Sequence, residues 1–87
     1  MTTPEDMNAG VQPLDALLDS AGLKNHDLVA ALPDLHLTHK EIGKARKGRR
    51  LTGHTQRRVL AALNACLKTR GEPAGLSVEQ VFNYRGR

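Results

Sequence analysis

The chain has 87 residues, 39% of them hydrophobic and 25% charged, and a net charge of +4. That length supports one small globular domain and no second core. A single cysteine, Cys66, excludes an internal disulfide framework, and no apolar run approaches the roughly 18 residues needed to span a bilayer.

Residues 1–10 read as a flexible tail, polar and acidic, with no periodicity and no likeness to a secretory leader. Residues 11–87 read as the folded domain. The first helix is expected over Pro13–Ala21. Proline suits its first turn, Leu14, Leu17 and Leu18 share one face, and Gly22 stops it. The second is expected over His26–Leu32, with Asn25 as N-cap and Pro33 as terminator. Pro33–His36 then form a turn or short loop.

The third helix carries the sharpest start signal. Thr38 and Glu41 have capping-box spacing, Leu37 and Ile42 occupy the positions of a hydrophobic staple, and Gly48 is placed as terminator, which gives His39–Lys47. The fourth is expected over Gly53–Lys68 with Thr52 as N-cap. Val59, Ala62, Leu63, Cys66 and Leu67 make the longest apolar stripe in the chain. After a loop over 69–76, Ser77 with Gln80 and Leu76 with Val81 open a short fifth helix at Val78–Phe82. Phe82 and Tyr84 are the only aromatics, so the core must be Leu, Val and Ala, which suits helices. The expected class is all-α, a compact five-helix domain.

Charge is unevenly distributed. Residues 1–39 hold one base and six acids, whereas residues 40–58 hold eight bases and one acid. A local basic patch on a nearly balanced chain is the electrostatic footprint of nucleic-acid binding. The competing reading is a solvated loop rich in Lys and Arg. Helical geometry sharpens the choice. At 100° per residue, Ile42 and Ala45 point inward, while His39, Lys40, Gly43, Lys44 and Lys47 fill an outward arc of about 140°. Arg49, Arg50 and the Thr52 hydroxyl follow, and the fourth helix begins with Thr55, Arg57 and Arg58. Such a helix fits a major groove about 12 Å wide, with flanking bases and helix-start amides on phosphates. Gly43, inside the helix, admits two explanations: close approach to DNA, or close approach to the second helix.

The runs Leu28–Leu32, Leu37–Gly48 and Val59–Asn64 resemble the lambda-repressor-like (Cro or XRE) helix-turn-helix family over about residues 14–67. The resemblance implies a five-helix domain whose third helix reads the major groove. It implies His39, Lys40 and Lys44 as base readers, and Asn25, Thr38, Lys47, Arg49 and Arg50 as phosphate contacts, to which Thr52 and Arg57 are added by position. The segment between helices 2 and 3 is longer than the family's tight turn, and the family's usual Gln and Arg readers are missing. Related repressors pair through the fifth helix, so Val81, Phe82 and Tyr84 are candidates for a dimer patch. The other reading, compatible with the first, is that Phe82 closes the core beneath helices 1 and 4.

Other chemistries find little support. The four histidines lack a second Cys or His pair with zinc spacing, so no metal is expected. Cys66 on the apolar stripe reads as a small hydrophobe. There is no nucleophile–base pair, no clustered carboxylates and no P-loop, so neither catalysis nor a cofactor is expected. The expectation is a cytoplasmic, nucleoid-associated regulator of transcription, with repression as its expected sign. It would bind double-stranded DNA as a homodimer and have no membrane partner. Two alternatives stand beside it. One is an antitoxin or other protein-interaction module whose acidic residues 1–39 meet a protein partner while the same helix-turn-helix binds its promoter DNA. The other is sequence-independent binding of RNA or DNA, which the scarcity of stacking aromatics disfavours.

Overall fold

A computed structural model describes residues 10–84. In that span five α-helices and one 3-10 turn follow one another: α1 Pro13–Ala21, α2 Asn25–Ala31, the 3-10 turn Pro33–Leu35, α3 His39–Lys47, α4 Gly53–Thr69 and α5 Val78–Val81. No strand occurs among the described residues, and no helix there is long and apolar enough to cross a membrane. Of the expected tail (residues 1–10), positions 1–9 lie outside the described residues, as do Arg85 and Arg87.

The core follows the periodicity. Leu14 and Leu18 of α1, Leu28 of α2, Ile42 and Ala45 of α3, and Val59, Ala62, Leu63, Cys66 and Leu67 of α4 are buried together. α4 is the spine: α2, α3 and α5 all pack on it, and α1 reaches α3 and α5. Val81 and Phe82 close the core at the α5 end and are almost fully buried. That fits the core reading of Phe82, and it leaves neither side chain on the surface of the single chain. An amphipathic segment of only four helical residues has no core to join except the one beneath it. Tyr84, T-stacked on Phe82 at 5.7 Å, stays half-buried.

The helix ends show why the boundaries fall where they do. Thr38 Oγ1 accepts from Glu41 N at 3.1 Å while Thr38 N donates to the Glu41 carboxylate at 3.0 Å, so both halves of the capping box are made. Leu37 and Ile42 are both buried, as the staple requires. Gly48 ends α3 at φ +94°, and a Cβ there would collide with the Gly10 carbonyl, so two demands fix this glycine. α2 differs from expectation. It begins at Asn25, with Lys24 as N-cap and Asp27 accepting from the Lys24 amide at 2.7 Å. Asn25 is therefore no cap, and its side chain is released for another bond. At α5 the Ser77 amide donates to the Gln80 side chain at 2.7 Å.

Candidate nucleic-acid interface

The longer connection between α2 and α3 is the first thing the structure resolves. It folds as the 3-10 turn and leaves through His36, which holds a left-handed φ of +54°. Arg58 of α4 fastens it. The guanidinium donates twice to the Leu35 carbonyl, at 3.0 and 2.6 Å, and once to the Glu41 carboxylate at 3.2 Å. One side chain thus ties the connecting turn and the cap of α3 to the spine, which sets how α3 sits on the domain.

Arg46 is the second inward-drawn cation. It donates to Asp15 at 2.6 Å, to Asp19 at 2.8 Å and to the Asn25 side-chain oxygen at 3.0 Å, joining α1, α2 and α3. On the helical circle Arg46 falls between Ile42 and His39, at the border of the two faces. Its pairing engages two of the acids of residues 1–39, and Asp27 is engaged at the start of α2. The acidic surface expected to meet a protein partner is smaller than the charge count suggests.

What remains outward is a cationic face. His39, Lys40, Lys44 and Lys47 are exposed along α3, and Arg49 and Arg57 are exposed beyond it. Among the described residues no acid lies within ion-pair distance of these lysines and arginines. Ile42 and Ala45, fully buried, seat the opposite side of the helix in the core. The sequence-predicted readers His39, Lys40 and Lys44 therefore lie with Lys47 on the exposed arc of α3, and Arg49 and Arg57 are exposed on the segments that follow.

The hydroxyls and aromatics play other parts. Thr38 Oγ1 is engaged by Glu41, and Thr52 Oγ1 accepts from Thr55 N at 3.1 Å and meets Thr55 Oγ1 at 3.0 Å. Both threonines serve the helix starts before any ligand. Arg50 lies over the Tyr84 ring, 5.4 Å from its centroid. The Tyr84 hydroxyl donates to the Arg49 carbonyl at 3.1 Å and accepts from Leu51 N at 2.9 Å. So Tyr84, once a dimer candidate, clamps the basic segment after α3. His26 of α2, not singled out by the sequence, stacks on His39 with centroids 5.7 Å apart and planes 17° from parallel.

Two buried glutamines also escaped the sequence reading. The Gln12 side chain is held by Gly10 and Asn83, and its backbone N–H donates to the Arg46 carbonyl at 3.1 Å. Gln56 donates to the Tyr84 carbonyl at 3.3 Å. They knit the two ends of the described chain to α3 and α4. Cys66 is buried on α4, and its thiol donates to the Asp27 carbonyl at 3.4 Å. Burial pushes the thiol above its ordinary range, and Asp27 adds to this while Arg70 opposes it. Among the described residues no three His, Cys, Asp or Glu side chains gather as a metal site.

No family model matches this chain, and neither a curated protein nor a solved structure does.

Proposed function

We propose that the chain is a sequence-specific double-stranded DNA-binding regulator of transcription, built on a lambda-repressor-like helix-turn-helix and acting as a homodimer by occupying its operator. The observation that carries this reading is the outer face of α3. Three exposed lysines and a histidine stand on a helix anchored by Ile42 and Ala45, with Arg49 and Arg57 beyond them and no acid within reach among the described residues. A solvated basic loop would not need a rigid, capped helix beneath it. A groove reader does, because side chains distinguish base edges only when their register is fixed.

In this reading His39, Lys40 and Lys44 face base edges. Lys47, Arg49, Arg50, Arg57 and the Asn25 amide hold phosphates, and Tyr84 keeps Arg49 and Arg50 in place. Affinity then falls steeply with salt, since each neutralised phosphate releases counterions. No chemistry is involved, so occupancy alone is the output. The test is selection of bound duplexes from a random pool, with bulk RNA and bulk DNA as competitors. A palindromic enriched motif is expected, reflecting two-fold pairing. Equal competition by RNA, or no enrichment, overturns the reading.

A further inference from the structure

An open cavity of about 570 Å³ lies between the start of α4 and α5, and among the described residues α3 contributes nothing to its walls. Gln56 and Arg57 stand on the α4 wall, Val78 and Glu79 on the α5 wall, and Asn83 and Tyr84 close the end. That volume suits a small molecule.

Two amides show what the cavity can take. Gln56 is only 2% exposed. Its Nε2 donates to the Tyr84 carbonyl, which can only accept, so the other end of the amide is the oxygen Oε1. Oε1 meets no donor among the described residues. No side-chain oxygen there is both buried and unpartnered, so Oε1 opens on the space that Gln56 borders, which is this cavity. Asn83 is oriented by the same logic. Gln12 Nε2 donates to the Gly10 carbonyl at 2.7 Å and also to Asn83 Oδ1 at 2.8 Å. Asn83 Nδ2 is left as a donor with no acceptor among the described residues.

The charges narrow the choice. Arg57 and Glu79 are exposed on opposite walls, and no ion pair joins them. A phosphate would meet repulsion from Glu79 and the Gln56 oxygen. A simple amine would leave Arg57 and Asn83 unanswered. A ligand with both charges on a small frame answers all four groups.

We infer that this cavity binds a free α-amino acid. The carboxylate is held by the Arg57 guanidinium and Asn83 Nδ2. The ammonium is held by the Glu79 carboxylate and Gln56 Oε1, and the side chain rests against Val78 and Tyr84. The site has a route to the basic surface, because the Tyr84 hydroxyl clamps the segment from Arg49 to Leu51. Arg57 also cannot serve a carboxylate and a phosphate at once. Resting on the duplex-binding reading, the bound amino acid weakens duplex binding, and the duplex weakens amino-acid binding by the same factor.

The test titrates the protein L-amino acids singly into the full chain without DNA, read by thermal melts and calorimetry. At least one is expected to raise Tm by about 6–11 °C at ten times its Kd. The N-acetyl and the carboxamide derivatives of that amino acid each lack one charge and are expected to bind roughly tenfold or more weakly, as are Arg57→Gln and Glu79→Gln. Those two exposed positions carry the test where the buried variant Gln56→Met does not fold. No rise in Tm with any amino acid overturns the site, and so does a rise that the blocked derivatives or both exposed variants retain. With the amino acid bound, duplex affinity is expected to fall and its salt slope to lessen by about one. Unchanged duplex affinity overturns the coupling and leaves the site. A chain that takes the amino acid but no duplex overturns the duplex-binding reading alone.

Discussion

Gly43→Ala separates folding from function by sign. A glycine inside a helix costs roughly 1 kcal/mol relative to alanine. The added methyl would meet only Asn25 Nδ2, at 3.8 Å, so nothing offsets the gain. Stability is expected to rise by about 0.5–1 kcal/mol, or ~2–8 °C in Tm at about 4–8 °C per kcal/mol for a domain of this size. Binding is expected to move the other way. A methyl there comes between the Asn25 amide and the phosphate it is proposed to hold, and a hydrogen bond to a charged group contributes about 1.5–3 kcal/mol, so affinity falls by roughly 10- to 100-fold. Thermal and urea melts with duplex titrations of the same preparation read both quantities. A lowered Tm would refute the argument that the space beside Gly43 is open. A raised Tm with unchanged affinity would show that no ligand comes close to this face.

Four further outcomes are expected. Lys44→Ala should change which base pairs are preferred, whereas Arg49→Ala should weaken all duplexes alike and lower the salt slope by about one; equal losses on every duplex for Lys44→Ala would contradict its place among the readers. Arg58→Met removes the bonds to the Leu35 carbonyl and the Glu41 carboxylate, which are largely shielded from solvent, and should cost about 2 kcal/mol in urea unfolding. Tyr84→Phe keeps the ring against Phe82 and Arg50 but loses both hydroxyl bonds, so stability should fall by about 1 kcal/mol and duplex affinity with it. Cys66 should react slowly with thiol reagents in the native state. Because its folded pKa is raised above the ordinary value, its contribution to stability is complete below that value and is lost as pH rises through the folded one. Wild type should therefore lose stability faster than Cys66→Ala on going alkaline, and parallel pH profiles for the two would contradict this.

The elements were legible where their causes are local. Thr38, Glu41, Leu37 and Ile42 lie within a few residues of one another and fix the start of α3; Gly22 and Gly48 fix the ends of α1 and α3. The stripe on α4 told which side is buried for the same reason. What could not be read was set by partners far along the chain. Asn25 has the position of a cap because it precedes a helical run, yet Asp27 serves the Lys24 amide and Arg46, 21 residues away, claims Asn25. Arg46 and Arg58 counted toward a basic run until acids and carbonyls on other elements drew them inward. Their removal from the surface makes the remaining patch smaller and better ordered than the charge count implied. Val81 and Phe82 were ambiguous in principle, since the same apolar pattern serves a core or a partner. Gln12 and Gln56 carried no signal at all, because a buried amide is betrayed only by the groups around it.

The Gln12–Asn83 pairing has a practical consequence. It holds positions 12 and 83 side by side, and Gly10 and Tyr84 both abut the stretch just after α3. A bulky label at Gln12 or Asn83 would therefore disturb the stretch around Arg49 as well, so neither position suits a reporter. The same adjacency suits circular permutation: a short peptide joining position 84 to position 10, with new termini opened in the exposed stretch around Gly71–Gly75, should leave all five helices and their order in space unchanged.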